Sequence, residues 1–437
     1  MFDYSSKLIT VYEALGKIKS GDVVTVGLAC SEPVEFMKNM HTIASNVSDV
    51  TIANCLPMVI GEYMTNMEYL KSFYVHSWYY SPLLRKLQPT GRVSFIPNHL
   101  HLATCQRNAS VRTNVFCCLA TPPDEDGYFS FSCSNGLETD MCAASDMIIL
   151  EISPHVPRTC GDNKVHFSKV DYVFESNARP AVLPDGEVND KDRTIGNLLA
   201  GYVKDGDCIQ IGIGGIPNAV CECIMDKKDL GVHTELMTTG IMRLMQKGVV
   251  TNKKKQINIG QTVCCFALGT QELYDFMDCN PDVQILNGSW VNDPVTIASN
   301  DNQVSINTTL EIDLTGQCCS ESIGHLQFTG TGGQTDTATG SQKSKNGRSF
   351  IALYTTAMVK NPKTGVREEI SKIVPLLKPG SAVSLSRNDV DYVATEYGVV
   401  RLKGLSINKR AEALISIAHP KFRDELRNAA REYMFIA

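Results

Sequence analysis

An internal repeat constrains the fold of this chain more than any other feature. The stretch from Ile18 to Met40 reads IKSGDVVTVGLACSEPVEFMKNM, and the stretch from Val203 to Met225 reads VKDGDCIQIGIGGIPNAVCECIM. The two align without a gap at an offset of 185 residues, from Ile18 to Val203. Each has a Gly-Asp turn, a short strand pattern, a loop of small residues and a helical pattern. A supersecondary unit that occurs twice predicts two related domains.

A second strand pattern follows each copy of the repeat. The first copy is followed by VTIANCL (Val50 to Leu56), and the second by VHTELMT (Val232 to Thr238). Strand, loop, helix and strand form the βαβ unit of a parallel sheet. Other apolar runs that indicate buried strands are DMIILEIS (146–153), KVDYVFES (169–176), DVQILN (282–287), FIALYTT (350–356) and SAVSLS (381–386). The sequence therefore predicts an α/β fold with two related open parallel sheets.

The boundary between the two domains is predicted within RPAVLPDGEVNDKDRT (179–194). This stretch is rich in proline, glycine and charge, and it has few apolar anchors. We therefore expect an N-terminal domain over 1–185 and a C-terminal domain over 186–437. The run KRAEALISIAHPKFRDELRNAAREY (409–433) predicts helices interrupted at His419-Pro420.

The two copies differ where a ligand would bind. The first copy has Ala29-Cys30 where the second has Gly214-Gly215, and the strand after the first loop has no acid that matches Glu235. Ligands of parallel sheets bind beyond the carboxyl ends of the strands. The second half is therefore expected to carry the chemistry, while the first half shapes the cleft between the two domains.

Taken alone, the loop GIGGIPNAV (212–220) has two interpretations, as a ligand-binding loop or as a structural turn. It lacks the third glycine of a dinucleotide-binding loop, since Pro217 stands there, and it lacks the Gly-Lys-Ser/Thr of a P-loop. Its backbone N–H groups could face a pyrophosphate or a thioester oxygen, or the loop could be a tight strand–helix turn. Gln210, just before it, is either a strand-end hydrogen-bonding residue or a group that positions Glu235.

Two further segments of the second half carry candidate groups. FTGTGGQTDTATG (328–340) is a second glycine-rich loop, suited either to close approach of a ligand or to a flexible surface. Asn292, in WVNDPVTIASND, either begins a turn and helix or donates its amide to an oxyanion. Glu321 is a competing acid, although the small polar residues around it favour a structural turn.

Composition excludes several classes of function. The net charge of −6 argues against a nucleic-acid surface, and no apolar run reaches the roughly 18 residues that cross a bilayer. The N-terminus has no signal pattern, so a cytoplasmic protein is expected. The 16 cysteines form no CxxC pair and have no histidine cluster beside them. They are expected to be small buried hydrophobic residues, with no metal site.

Several strings, in this order along the chain, resemble the acetyl-CoA hydrolase/transferase family, and within it the 4-hydroxybutyrate and butyryl-CoA:acetate CoA-transferases. They are IQIGIGGIPNAV, HTELMTTG, WVNDPVTIA, DLTGQCCSESIG, FTGTGGQTD, SKIVPLL and DVDYVATEYGVVRLKG. The resemblance implies that Glu235 is the nucleophile and that Asn292 and Gly333 serve the oxyanion. It also implies a CoA site lined by Gly212, Ile213, Gly214, Gly215, Ile216, Leu310, Gly333 and Lys345.

The implied reaction is transfer of CoA from a short- or medium-chain acyl-CoA, such as butyryl- or 4-hydroxybutyryl-CoA, to a carboxylate such as acetate. It would run by a ping-pong route through a glutamyl-CoA thioester, with CoA as substrate and no permanently bound cofactor. Acyl-CoA hydrolysis at the same site, or a nucleotide-binding protein without activity, are the alternatives. A homodimer or higher homo-oligomer is expected. Thr337 and Cys319 stand where relatives commonly have Phe and Asn, which leaves the acyl specificity open.

Overall fold

The computed structural model describes residues 2–361 and 364–437. Its strands are β1 (Val23–Val26), β2 (Val50–Asn54), β3 (Phe73–Ser77), β4 (Val93–Phe95), β5 (Val115–Ala120), β6 (Tyr128–Ser130), β7 (Met147–Ile152), β8 (Cys160–Gly161), β9 (Lys164–His166), β10 (Tyr172–Glu175), β11 (Cys208–Ile211), β12 (Gly231–Val232), β13 (Leu236–Met237), β14 (Thr262–Cys264), β15 (Phe266–Ala267), β16 (Val283–Ile285), β17 (Gln303–Thr308), β18 (Glu311–Asp313), β19 (Cys318–Cys319), β20 (Ser322–Ile323), β21 (Leu326–Gln327), β22 (Arg348–Ala352), β23 (Thr356–Lys360), β24 (Arg367–Ser371), β25 (Ile373–Val374), β26 (Tyr392–Thr395) and β27 (Gly398–Arg401).

The α-helices are α1 (Val11–Leu15), α2 (Val34–Asn39), α3 (Glu62–Thr65), α4 (Met67–Leu70), α5 (Pro82–Leu87), α6 (Ala103–Ser110), α7 (Glu138–Ala144), α8 (Asp190–Ala200), α9 (Gly215–Cys223), α10 (Thr239–Gln246), α11 (Gln271–Met277), α12 (Gly288–Val291), α13 (Pro294–Ala298), α14 (Gln334–Lys343), α15 (Ile407–Ser416) and α16 (Arg423–Glu432). None of these described helices is long and apolar enough to cross a membrane.

The chain forms two compact units, and neither is continuous in sequence. Unit 1 comprises the segment that ends at Pro184 together with Thr234–Met242 and Gln261–Asp293. Unit 2 comprises Asp185–His233, Arg243–Gly260 and the segment that begins at Pro294. Two pieces of the predicted 186–437 domain thus cluster with unit 1.

Unit 1 is built on a seven-stranded parallel sheet in the order β10-β7-β5-β1-β2-β3-β4. Its central strands are apolar on both faces, as expected where helices cover both sides of a parallel sheet. One face packs with Val24, Val26, Ile52 and Val75, and the other with Ala53, Phe116 and Leu150.

Unit 2 contains a six-stranded sheet in the order β12-β11-β17-β22-β26-β27. All its pairs are parallel except β26 with β27. Helix α8 begins at a capping box in which Asn189 and Asp192 each bond the other's backbone N–H, which satisfies two of the free donors of the first turn.

The two sheets confirm the prediction of two related α/β domains. Strand β1 (23–26) and strand β11 (208–211) lie at the repeat offset of 185 residues. Five strands follow the same order around them: β2-β1-β5-β7-β10 in unit 1 and β12-β11-β17-β22-β26 in unit 2. The predicted strands at 50–56, 146–153, 169–176 and 282–287 are present as β2, β7, β10 and β16, and the C-terminal helices break at His419-Pro420.

Two predicted strands are wrong. The run 232–238 is not one strand, because β12 pairs with β11 while β13 pairs with β15, and the chain between them belongs to neither sheet. The run 381–386 forms only an isolated bridge between Leu385 and Cys318. In addition, 350–356 is divided, since β22 ends at Ala352 and β23 begins at Thr356.

Candidate active site

Glu235 lies at the break between β12 and β13. It is half-buried, and its neighbours on both sides are fully buried: His233, Thr234, Leu236 and Met237. A carboxylate carried on a stretch whose other side chains are buried cannot swing freely into solvent. The local sequence, with one acid among residues that pack inward, therefore holds the acid in one place.

The backbone around Glu235 is fixed by hydrogen bonds within unit 1. The carbonyl of Glu235 accepts from the N–H groups of Cys265 (3.0 Å) and Phe266 (3.2 Å), and the N–H of Thr234 donates to the carbonyl of Val263 (3.0 Å). Strand β15 then pairs with β13. These bonds come from the Gln261–Asp293 segment, which explains why Glu235 clusters with unit 1.

The side chain of Glu235 contacts Asn292, the residue that ends helix α12. Asn292 Nδ2 donates to Glu235 Oε2 at 2.8 Å, and Asn292 is 0% exposed. Asn292 Oδ1 in turn lies 3.9 Å from the thiol sulfur of Cys265. The structure thus brings together two of the predicted catalytic residues, which are 57 positions apart in the chain.

The negative charge of Glu235 acts on two neighbouring thiols. Burial, and after it the negative charge of Glu235, raises the pKa of both Cys55 and Cys265. Both cysteines belong to an apolar cluster that also contains Leu236, Phe266 and Val291. The carboxylate therefore stands beside apolar and thiol groups, and a carboxylate in such surroundings is a better nucleophile than one in water.

The glycine-rich loop of unit 2 is open. A Cβ at Gly212 would meet nothing within 4 Å, Ile213 is 40% exposed, and Gly214 has φ +119° and ψ −178°, a backbone conformation restricted to glycine. Gly215 is a glycine for a packing reason, because a Cβ there would lie 2.5 Å from the Asp192 carboxylate. The Ile216 side chain is buried, so only its backbone could meet a ligand.

Gln210 is a hydrogen-bonding residue near the end of its strand. It is 4% exposed, and its amide lies 3.4 Å from that of Asn307 on the neighbouring strand β17. Asn307 Nδ2 also donates to Thr337 Oγ1 at 3.0 Å. Asn307 was not predicted as a site residue, and its strand alternates polar and apolar residues, so no sequence signal singles it out.

The second glycine-rich loop ends where a helix begins. Gly333 is buried and is the N-cap of α14, and its carbonyl accepts from both the N–H and the hydroxyl of Thr337. Gln334 then bonds the Thr308 carbonyl at 2.7 Å, which brings this helix end to the end of β17, two residues before half-buried Leu310.

Lys345 does not lie near the Gly333 end of α14. It follows the far end of α14, its side chain is 75% exposed, and it pairs with Asp301 at 3.5 Å. Ten residues of helix place it about 15 Å from the Gly333 end. Glu321, the competing acid, is 5% exposed, and its carbonyl accepts from Phe328 and Thr329, so it serves a turn.

The chain is similar to known proteins over nearly its whole length. Residues 2–184 match the model of the acetyl-CoA hydrolase/transferase N-terminal domain, and residues 269–430 match that of the C-terminal domain. The succinyl-CoA:cyclohexane-1-carboxylate CoA transferase of Geobacter metallireducens is 40% identical over 98% of this chain and 96% of its own. The 4-hydroxybutyrate coenzyme A transferase of Clostridium kluyveri is 37% identical over 97% of both chains.

A solved structure is similar throughout. The crystal structure of RipA from Yersinia pestis matches with a TM-score of 0.90 and 33% identity, covering 99% of both chains. These matches over nearly the whole length show that the chain belongs to the acetyl-CoA hydrolase/transferase family.

Proposed function

We propose that this protein is an acyl-CoA:carboxylate CoA-transferase. It takes CoA from a short- or medium-chain acyl-CoA, such as butyryl- or 4-hydroxybutyryl-CoA, and transfers it to a carboxylate such as acetate. The observation that carries the proposal is the 2.8 Å hydrogen bond from the buried Asn292 amide to Glu235 Oε2. A carboxylate beside a fixed hydrogen-bond donor is what the proposed transfer requires, and no other acid–base pair is needed.

The first half-reaction begins with Glu235. A carboxylate oxygen attacks the thioester carbon, the C–S bond breaks, and a mixed anhydride and CoA thiolate form. The thiolate then attacks the glutamyl carbonyl of the anhydride, which releases the donor acid and leaves a Glu235–CoA thioester. The acceptor carboxylate repeats these steps in reverse, so no net proton or electron is consumed.

Asn292 lowers the barrier in this proposal. A carboxylate is a weak nucleophile, so the tetrahedral oxyanion must be stabilised strongly, and loss of one such donor typically costs about 3–4 kcal/mol. The Asn292 amide is buried and held at the end of α12, so it needs little reorganisation as charge moves from Glu235 to the acyl oxygen. The role of Gly333 as a second donor stays a prediction.

The open loop of unit 2 is proposed to bind the phosphates of CoA. It leads from β11 into α9, a helix of nine residues whose N-terminal N–H groups favour an anion. Exposed Ile213 and Gly214 leave the backbone accessible. Binding energy from this remote part of the substrate can then be used at the reacting end.

The test is incubation with butyryl-CoA and acetate, in which acetyl-CoA and free CoA are quantified. A parallel sample with butyryl-CoA alone is treated with hydroxylamine, which converts a glutamyl thioester to a hydroxamate detectable by peptide mass. We expect acetyl-CoA to form and the hydroxamate to map to Glu235, and both to disappear in Glu235→Ala.

Other results would lead elsewhere. Free CoA without acetyl-CoA, still dependent on Glu235, would make the protein a hydrolase. Acetyl-CoA formation that persists in Glu235→Ala would overturn the proposed nucleophile. Glu321→Gln serves as the matched control, because that acid lies in a turn and its replacement is expected to leave transfer within about threefold.

A further inference from the structure

A half-buried arginine near the carboxyl ends of the unit 1 strands has two buried nitrogens without an anion beside them. Arg107 lies on α6, and its Nε and Nη2 atoms are both buried and have no hydrogen-bond partner among the described residues. Burial lowers the pKa of Arg107. An uncompensated charge in such a place is costly, so a buried guanidinium normally has an acid or several carbonyls beside it.

A more deeply buried arginine, Arg410, shows how such a group is usually satisfied. Arg410 is 8% exposed, and its guanidinium donates to the carbonyls of Leu405, Thr315 and Arg387. Arg107 has no such arrangement for its two buried nitrogens. The difference indicates that the hydrogen-bond acceptor for these nitrogens of Arg107 is supplied by a ligand.

The groups around Arg107 suit an anion with an apolar body. Its Cζ lies 6.0 Å from the centre of the Trp78 ring, and Trp78 is 6% exposed with a buried Nε1 that has no partner in the described part of the chain. His76, two residues earlier on β3, is half-buried. Its pKa is lowered by burial and then by the charge of Arg107. Two kinds of unused donor, a guanidinium and an indole N–H, thus stand beside an aromatic face.

Two observations connect this position with the site of Glu235 within unit 1. Thr104, one turn before Arg107 on α6, lies with its hydroxyl 3.2 Å from that of Ser289 on α12, the helix that ends at Asn292. Trp78 also belongs to the same apolar cluster as Cys55, Leu236 and Cys265, the residues around the nucleophile. A ligand group at Arg107 would therefore belong to the acyl end of a substrate, because the pantetheine arm separates the phosphates of CoA from the thioester.

We infer that Arg107 and Trp78 form a subsite for a second, non-reacting carboxylate of the substrate. The planar fork of an arginine binds a carboxylate through two parallel hydrogen bonds, and the indole N–H is a further donor. The protein would then accept dicarboxylic acyl groups and dicarboxylate acceptors. This inference rests on the proposed function, and it adds to it a residue that selects among acids of equal chain length.

The test compares two substrates that differ only at the far end. Succinyl-CoA and butyryl-CoA both carry four-carbon acyl groups, one ending in a carboxylate and the other in a methyl group. We expect Arg107→Met to lower kcat/KM for succinyl-CoA about 10- to 100-fold and to leave that for butyryl-CoA within about threefold. Arg107→Lys, which keeps the charge but loses the fork, should fall between the two.

The control is Arg112→Met, which removes an arginine close in sequence whose side chain is 77% exposed and paired with Asp146. Equal losses for both substrates in Arg107→Met, no loss for either, or a wild type that uses butyryl-CoA but not succinyl-CoA would each overturn the subsite.

A binding measurement separates this inference from the proposed function. Calorimetric titration of the wild type with succinate and with butyrate needs no turnover. If neither thioester is used at all, the proposed function fails, and the subsite then stands only if succinate binds at least about tenfold more tightly than butyrate and loses that advantage in Arg107→Met. Equal affinities overturn it.

Discussion

The loops that follow β1 and β11 occupy equivalent places in the repeat and have opposite characters. In the first copy, Leu28, Ala29 and Cys30 are each about 1% exposed, and the Leu28 N–H donates to the carboxylate of Glu138 at 2.8 Å. In the second copy, Ile213 and Gly214 are exposed. The first loop is thus closed by side chains and by an internal acid, and the second remains open.

This contrast teaches how one supersecondary unit serves two purposes. A loop between a parallel strand and a helix presents backbone N–H groups that attract an anion. When the protein supplies the anion itself, as Glu138 does, the loop becomes part of the core. When the loop is built of glycines and stays open to solvent, the anion must come from outside. The following predictions test that division of roles, from the largest effect to the smallest.

The acids associated with the two copies should differ most in activity. Glu235 follows the second copy, whereas Glu32 lies in the first and is 1% exposed. Glu235→Gln removes the proposed nucleophile and is expected to lower kcat by roughly 10⁴-fold or more. Glu32→Gln should leave kcat within about threefold, as measured by acetyl-CoA formation. Comparable losses in the two variants would mean that the first copy also carries chemistry.

The internal acid should matter for stability. In Glu138→Ala the N–H groups of Leu28 and Leu137 lose their acceptor and a cavity remains, so the free energy of unfolding should fall by about 2–4 kcal/mol. Urea unfolding at pH 7 measures it. Glu138→Gln keeps the shape and one acceptor oxygen, and it should lose less than half as much. A stable Glu138→Ala variant would contradict the view that this acid closes the loop.

The open loop should respond to strain at one glycine and not at its neighbour. Gly214→Ala forces an alanine to φ +119° and should cost about 1–3 kcal/mol of unfolding free energy. Gly212→Ala is the matched control, since its Cβ meets open space and its stability should change by less than about 0.5 kcal/mol. If Gly212→Ala nevertheless raises KM for acyl-CoA, the loop contacts the substrate. An unchanged KM would argue against CoA binding there.

The first loop should also make stability depend on pH. Burial raises the pKa of Glu32 to about 8, although the N–H groups of Met58 and Val59 act against this. The pKa of Glu32 is higher in the folded protein than in the unfolded chain, so binding of a proton by this carboxyl stabilises the folded state. That stabilising contribution is complete below the unfolded pKa and is lost as pH rises towards 8.

Between pH 6 and 7 the wild type should therefore lose about 1.4 kcal/mol relative to Glu32→Gln. Urea unfolding of both proteins at the two pH values measures the difference. Parallel pH profiles would show that Glu32 is ionised in the folded protein.

The repeat made the central strands predictable, because β1 and β11 each combine a preceding Gly-Asp turn with a buried strand of four residues. For the candidate site, the sequence predicted which residues to consider but not which of them lie together. Strands β13 to β16 have two or three residues each, too few for a period to show, and their partners are distant in sequence. These strands pair with one another and with β8 in the first half of the chain, and for that reason Glu235 clusters with unit 1.

Other parts of the site depend on contacts that no local pattern encodes. That Asn292 bonds Glu235 follows from how α12 packs, whereas the string around Asn292 is equally typical of a helix start. Gly215 is predicted to line the CoA site, and the folded chain adds a second reason for this glycine, because a Cβ there would lie 2.5 Å from the Asp192 carboxylate. The isolation of Arg107 also has no sequence signal, since only the folded chain shows which donors have no acceptor.

The late partner of β8 has a consequence for synthesis. Strand β8 pairs with β16, which the ribosome makes about 120 residues later, a delay of roughly 6 to 25 seconds at about 5–20 residues per second. During that interval the emerging N-terminal half exposes an unpaired strand edge, and for the first part of it Glu235, the proposed nucleophile, has yet to be translated. The nascent chain is therefore expected to depend on chaperone protection at this stage, and expression of the first 184 residues alone should yield an aggregation-prone fragment.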